Sequence, residues 1–469
     1  MRILLIAYEF PPSPSPQSLR WTYLVRELAL AGHEVHVLTP HLGGEAEGLP
    51  ELPAEVIVHR TYAGPVRGAL AARRDRHLRL IGDTPRPVGE DPIAWQMSLQ
   101  EFAAAGLDKL AAHELAALDA WLDAKAALAA GAARPSRYGW KHSLSEFIQA
   151  RASDVLFPDI RGEWLWPARR ELRRLLATLQ PDVAIASHEP ATSLQLGLDA
   201  HAQGVPLLAD LGDPVLAAYT PPRWRRRALA LERQLCVVAD HISVTAPASA
   251  ELLGERHGRR EGISLLLQGF DDRAFDPRRA TAHHGHPESP LQLLYTGSFY
   301  GFRRAETLLD AVRAVPGVRL GFATIVAPQS VRDACRESPE QFRLHGFLPH
   351  LQALRMQCRT DVLVNIANAE AAQVPGKLLE YLGAGRPILH LRSSGTDHGA
   401  DLLAETGGAL VVGQDISELT DSLRRLLAAK RSGSLHAQFP PRDAARINEY
   451  GWSRIAARLE AILAGIARR

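Results

Sequence analysis

Cysteine is scarce. Only Cys236, Cys335 and Cys358 occur in 469 residues, far apart and with no CxxC pair. A disulfide framework and a cysteine-based metal site are thereby excluded, and a reducing compartment fits. Neither sign of charge dominates, since 54 Lys and Arg stand against 52 Asp and Glu for a formal +2. With no recognition module present either, nucleic acid is not an expected partner. No apolar run approaches the roughly 20 residues needed to cross a bilayer. The opening MRILLIAY is too short for the apolar core of a secretory signal and runs straight into EFPP. Also missing are a GxGxxG after the first strand, a P-loop, HExxH and GxSxG, so a nicotinamide or flavin cofactor has little support. No metal and no cofactor are expected.

What is present is a repeated grammar of strands and helices. Hydrophobic residues make up 46% and charged residues 23% of the chain, an ordinary soluble balance, and the length calls for two or three domains. RILLIAY (2–8) is a continuous apolar run, as in a parallel strand covered on both faces. LRWTYLVRELALA then has helical spacing, Gly32 signals its end, and EVHVLTP is a second strand. This is a βαβ unit, right-handed by default. The same pattern returns at 182–190, 205–213 and 241–247, then starts afresh at 291–299, 318–326, 342–347, 361–367, 386–391 and 408–413. Two doubly wound sheets follow.

The expected architecture is α/β, with two Rossmann-like domains facing a cleft. Residues 1–275 form the first domain, with a helical insertion at about 64–165, and 285–445 form the second. The aperiodic 270–290 is read as linker, and 446–469 as a C-terminal amphipathic helix packing back on the first domain.

Several segments, in this order, carry a resemblance: ILLIAYEFPPSPSP, GHEV, ASHEP, LERQLCVVADHISVTAPASAELL, LLQGFDDRAF, LLYTGSFYGFRRAETLLDAV and PGKLLEYLGAGRPIL. Together they resemble the retaining sugar-nucleotide glycosyltransferases of glycosyltransferase family 4, which have the GT-B fold. The resemblance implies transfer of a sugar from a nucleotide-diphosphate donor to a hydroxyl on a glycan or lipid-linked acceptor, with retention at the anomeric carbon. It points to a hexosyltransferase of polysaccharide biosynthesis.

In PGKLLEYLGAGRP the helix would point its N-terminus at the diphosphate, where free N–H groups and the helix dipole favour an anion. Gly376 would let the backbone approach the phosphates, Lys377 would add a cation, and Glu380 would hold the ribose. The donor set implied is Gly297, Gly376, Lys377, Leu378, Glu380 and Glu370. Two motif glutamates eight positions apart are usual; the first would fall at Ala372, and Glu370 is the nearby carboxylate. Arg303 and Arg304 in SFYGFRR are the implied cations for the leaving diphosphate, with Ser298 at the usual arginine position. His188 in ASHEP would face the donor sugar, beside Glu189.

The catalytic set is thus His188, Arg303, Arg304 and Glu380. PPSPSPQS stands where the family has a glycine loop, so acceptor contacts would come from Ser15, Gln17, Ser18 and Arg20, joined by Asp210 and Asp213 at another strand end. The fold leaves two other readings, a non-catalytic nucleotide-sugar or glycan-binding protein and a sugar-nucleotide 2-epimerase.

Basic residues cluster around an aromatic at Arg223, Trp224, Arg225, Arg226 and Arg227, and again at Arg67, Arg73, Arg74, Arg76 and Arg79. Such clusters suit an anionic lipid surface, each charge contributing about 1 kcal/mol close to it. The expected location is cytoplasmic, peripheral at the inner face of the membrane.

Overall fold

The computed structural model describes residues 1–13, 15–44, 49–82, 156–217, 220–274, 286–299, 304–324, 326–367, 376–392 and 397–467. The Ala- and Leu-rich helical reading of 95–132 lies outside them, as do Arg303, Glu370 and Ala372.

The chain divides into two compact units. Among the described residues, the first takes those up to Gln268 and those from Trp452 on, and the second those within Gly269–Gly451. In the first lie β1 (Arg2–Ala7), α1 (Pro16–Leu30), β2 (Glu34–His41), β3 (Val56–Tyr62), α2 (Pro65–Gly82), α3 (Leu165–Leu179) and β4 (Val183–His188). There follow α4 (Ala191–His201), β5 (Leu207–Leu211), α5 (Arg225–Val238), β6 (His241–Val244), α6 (Pro247–His257) and β7 (Ile263–Leu265). The second unit holds β8 (Leu291–Thr296), α7 (Glu306–Arg313), β9 (Val318–Ala323), α8 (Gln329–Glu337), β10 (Phe342–Gly346), α9 (His350–Arg359) and β11 (Val362–Ile366). It continues with α10 (Gly376–Ala384), β12 (Ile388–Leu391), α11 (His398–Thr406), β13 (Ala409–Val412), α12 (Ile416–Arg431) and α13 (Ala444–Asn448). The last helix, α14 (Trp452–Ala467), belongs to the first unit.

Both sheets are parallel and doubly wound. Their orders are β3-β2-β1-β4-β5-β6-β7 and β10-β9-β8-β11-β12-β13. In each, the order reverses beside the first strand, between β1 and β4 and between β8 and β11. Ligands of such sheets bind off the carboxyl ends of the strands at these reversals.

The apolar runs are explained by burial on both faces. Leu4 and Ile6 of β1, with Tyr8 just after it, join one core layer with Ala184, Ala186, Leu207 and Ala209. Ile3, Leu5 and Ala7 face the other, with Val35, Val37, Val183 and Ile185. That second layer is closed by α1 and α14, whose Trp452, Ile455, Leu459, Leu463 and Ile466 are all in it. Tyr23 stacks on Trp452 at 5.6 Å and 12°. Each such aliphatic side chain contributes about 1.5–3 kcal/mol on full burial.

Local signals set the helix ends. Ser15 caps α1, its hydroxyl accepting from Ser18 N at 3.1 Å, and Pro16 opens the first turn. The start of α2 is capped from far away: Glu163 accepts from Val66 N at 3.0 Å and Arg67 N at 2.6 Å.

Three sequence expectations change here. Two strands, β3 and β7, escape the pattern of continuous apolar runs because both are sheet edges, one with Ile57, Arg60 and Tyr62 exposed and one only three residues long. The start of the stretch read as linker is packed structure, with Phe270 N donating to Tyr450 O at 3.1 Å and its ring buried. The basic cluster at the start of α5 is a surface of arginines without an outward aromatic. Arg223, Arg225, Arg226 and Arg227 are exposed, but Trp224 turns inward onto Phe157 at 5.6 Å. No helix among the described residues is long and apolar enough to cross a membrane.

Candidate functional site

In the first unit the candidate residues gather where β1, β4 and β5 end. Register explains why. Ser187 of β4 pairs with Ala7 on one side and Asp210 on the other, and Asp210 pairs with Ser243. One row across four strands therefore carries a hydroxyl, a carboxylate and a hydroxyl. Asp210 accepts from Arg20 Nη1 at 2.7 Å and from Ser243 Oγ at 2.7 Å, while Trp21 Nε1 donates to Ser187 Oγ at 2.6 Å. Gln17 completes the network through its amide nitrogen, 2.8 Å from Ser187 Oγ and 2.8 Å from the carbonyl oxygen of His188.

This corrects part of the acceptor set. The Arg20 and Asp210 side chains are both 0% exposed, so they form an internal ion pair and cannot touch a substrate. Ser18 is buried and Ser15 serves as the helix cap. Gln17, half-buried, remains at the surface of the network. Asp213 acts through its main chain, its carbonyl accepting from His188 Nδ1 at 2.8 Å. Arg161, which no motif singled out, bonds Asp159 at 2.7 Å and stands 3.7 Å from Glu189.

The Asp213 carbonyl can only accept, so it fixes the proton on Nδ1 and leaves a lone pair on Nε2. Burial pushes the His188 imidazole below the ordinary 6.5, against weaker opposing pulls from Glu189 and Asp213. The unfolded chain therefore takes up this proton first as pH falls. Stability carried by the neutral ring is complete above 6.5 and is lost below it. Melting temperatures of the native chain and His188→Gln, followed from neutral pH to below 6.5, should diverge against the native chain on the acid side. A constant difference would refute this account.

In the second unit the candidates lie where β8 ends and α10 begins. Gly297 follows β8 with φ +106, a region that favours glycine, and a Cβ there would come within 3.3 Å of Lys377 Cδ. The lysine stem thus crosses the glycine, and Nζ sits 3.6 Å from the centre of the Tyr295 ring. Gly376 is the first residue of α10.

Glu380, one turn on, is held from α9: Gln357 Nε2 donates to its Oε2 at 3.4 Å and to Thr296 Oγ1 at 3.1 Å. His350 Nδ1 is 3.9 Å from Oε1, in a buried position that lowers the histidine's proton affinity despite the nearby carboxylates of Glu380 and Asp271. Tyr381 ties the helix to the strand end, its hydroxyl accepting from Thr296 N at 2.8 Å.

Leu378 is a correction: its side chain is 0% exposed and belongs to the core. Arg304 is exposed ahead of α7, and Ser298 O accepts from the Tyr295 hydroxyl at 3.0 Å. Gln357, His350 and Thr296 went unnoticed in the sequence, where α9 shows only a mixed apolar and polar surface. No group of three or more His, Cys, Asp or Glu among the described residues could hold a metal ion.

No protein-family model matches the chain, and no curated protein sequence does. Solved structures match along nearly the whole length. Sucrose-phosphate synthase from Thermosynechococcus elongatus is 15% identical with a TM-score of 0.59, covering 99% of this chain and 98% of that one. HepE of Anabaena in complex with UDP and glucose is 12% identical at TM-score 0.54, with 99% of each chain covered. The UDP-GlcNAc 2-epimerase of Methanocaldococcus jannaschii is 10% identical at TM-score 0.50, covering 99% and 100%. At such identities the likeness carries the fold, and that fold is GT-B.

Proposed function

We propose that this chain of GT-B fold is a glycosyltransferase that moves a sugar from a nucleotide-diphosphate donor to a hydroxyl acceptor, retaining the anomeric configuration. The observation that carries the proposal is the junction of β8 and α10: a glycine at positive φ, a lysine lying across it, a helix start and a braced carboxylate, all beside the reversal of strand order. Lys377 and the first amides of α10 suit a diphosphate, and Glu380 suits the paired hydroxyls of ribose. Arg303 and Arg304 would add charge for the leaving group, and Glu370 would approach the sugar. In the first unit, His188 and Gln17 would meet hydroxyls of the sugar and of the acceptor.

Similar structures support the donor class: HepE has been solved with UDP-glucose, at 11% identity and TM-score 0.55. With no nucleophilic carboxylate assigned, retention would have the acceptor hydroxyl enter on the face that the diphosphate leaves, its proton passing to a phosphate oxygen. A glycan or lipid-linked acceptor in polysaccharide biosynthesis is the setting we assign. Attachment to an anionic membrane surface would use the exposed arginines at the start of α5.

The test is nucleotide release from UDP-, GDP- and dTDP-sugars, with and without glycan acceptors. Acceptor-dependent release, abolished in His188→Ala, is the expected result. Donor isomerisation without any acceptor would make the chain an epimerase. Donor binding with no turnover, unaltered in His188→Ala, would make it a binding protein.

A further inference from the structure

Gln17 is oriented by its surroundings. Its amide nitrogen faces three oxygens: Ser187 Oγ at 2.8 Å, the His188 carbonyl at 2.8 Å and Asp210 Oδ2 at 3.3 Å. A main-chain carbonyl only accepts, and so does a carboxylate ion-paired with a buried arginine. Reversing the amide would set its carbonyl oxygen against both. The NH2 is therefore turned into the protein and Oε1 is presented on the outer side. Gly212 flanks this amide, where even a methyl group would stand 3.7 Å from both Nε2 and Oε1. The orienting carboxylate cannot relax, because Arg20 and Ser243 hold it at 2.7 Å each.

We infer that Gln17 sets the chemistry of the acceptor: Oε1 receives a hydrogen bond from an acceptor hydroxyl, and a phosphate or carboxylate oxygen is refused at that point. The inference rests on the reading of the first unit as the acceptor-binding one and deepens it. A glutamine free to turn its amide could serve either a donor or an acceptor; this one serves donors only. His188 has the same polarity, since its Nδ1 proton is committed to Asp213 and its Nε2 can only accept while the ring is neutral. Two fixed acceptors, His188 at the end of β4 and Gln17 of α1 bonded to it, suit a ligand with several hydroxyls, and they repel the oxygens of an anion. Asp210, Arg20 and Ser243 are then positioning residues, acting on the substrate only through the glutamine.

The test uses the full chain with methyl glycosides of glucose, galactose and mannose, their monodeoxyfluoro analogues, and the corresponding phosphates and uronates. Binding is followed by saturation-transfer NMR without donor, and turnover with the donor found above. One hydroxyl should be critical. Replacing it by fluorine, which cannot donate, should weaken binding about tenfold in the native chain, the loss of one hydrogen bond. The same replacement should change nothing further in Gln17→Met, whose own acceptor KM is raised about tenfold with kcat little altered.

Fluorine tolerated at every position would overturn the inference, as would a phosphate or uronate that binds better to the native chain than to Gln17→Met. So would failure of every glycoside to bind at millimolar concentration. The fluorine series needs only the native chain, so it decides the matter even if Gln17→Met misfolds. Loss of all donor binding with glycoside binding intact would instead sink the transferase reading and leave Gln17 to be judged on its own.

Discussion

Asp210→Ala is expected to lower stability by about 3–5 kcal/mol, the range for removing one partner of a buried ion pair. The Arg20 guanidinium would then stay in a position with no exposed side-chain surface and no carboxylate. Three further hydrogen-bond donors, Ser243 Oγ, the Gln17 amide and Ser187 Oγ, lose the same acceptor. Denaturant or thermal unfolding measures the loss. The double variant Arg20→Met with Asp210→Leu should recover most of it, because apolar pairs of similar volume often replace buried ion pairs at little cost. A single-variant loss of only about 1 kcal/mol, the size seen for exposed pairs, would show that water reaches the site and that the pair is not internal.

The second large effect concerns Lys377. Lys377→Met should lower kcat/KM about 10²–10³-fold, as removal of one group that stabilises developing charge commonly does. Methionine keeps an apolar stem over Gly297 and a contact with Tyr295 but loses the cation. A purely structural lysine, resting on the ring, would contribute only about 0.5–2 kcal/mol to stability and nothing to ligand affinity. Calorimetry separates the two roles by comparing each nucleoside with its diphosphate: uridine with UDP, guanosine with GDP, thymidine with dTDP. Diphosphate affinity should fall with nucleoside affinity unchanged. Equal losses for both would assign the lysine to the fold.

Much of the fold could be read from the chain because strands buried on both faces are apolar over most of their length, and RILLIA, VAIASH and VLVNI show such runs without alternation. Edge strands lack this constraint, which is why VIVHRTY went unread. The candidate site was legible in outline for the same kind of reason: its residues sit at strand ends and helix starts, which punctuate the sequence. Their direction was not. Arg20 and Asp210 look like surface charges until the register sets Ser187, Asp210 and Ser243 in one row, and those positions are 23 and 33 residues apart in the chain. The bracing of Glu380 by Gln357, 23 residues away, is equally invisible in one dimension. Trp224 misled because an aromatic among arginines reads as a lipid anchor, whereas here it packs edge-on against Phe157.

The return of α14 to the first unit bears on how the protein is made. A ribosome delivers β1 through β7, then the whole of Gly269–Gly451, and only afterwards the helix that packs on α1 and β4 and completes the layer holding Val183 and Ile185. Throughout translation of the second unit, that flank of the first has α1 over it and lacks the apolar side chains of its second helix. Vectorial synthesis thus leaves the earlier half waiting on the later one, and it is there that a nascent chain would first need a chaperone.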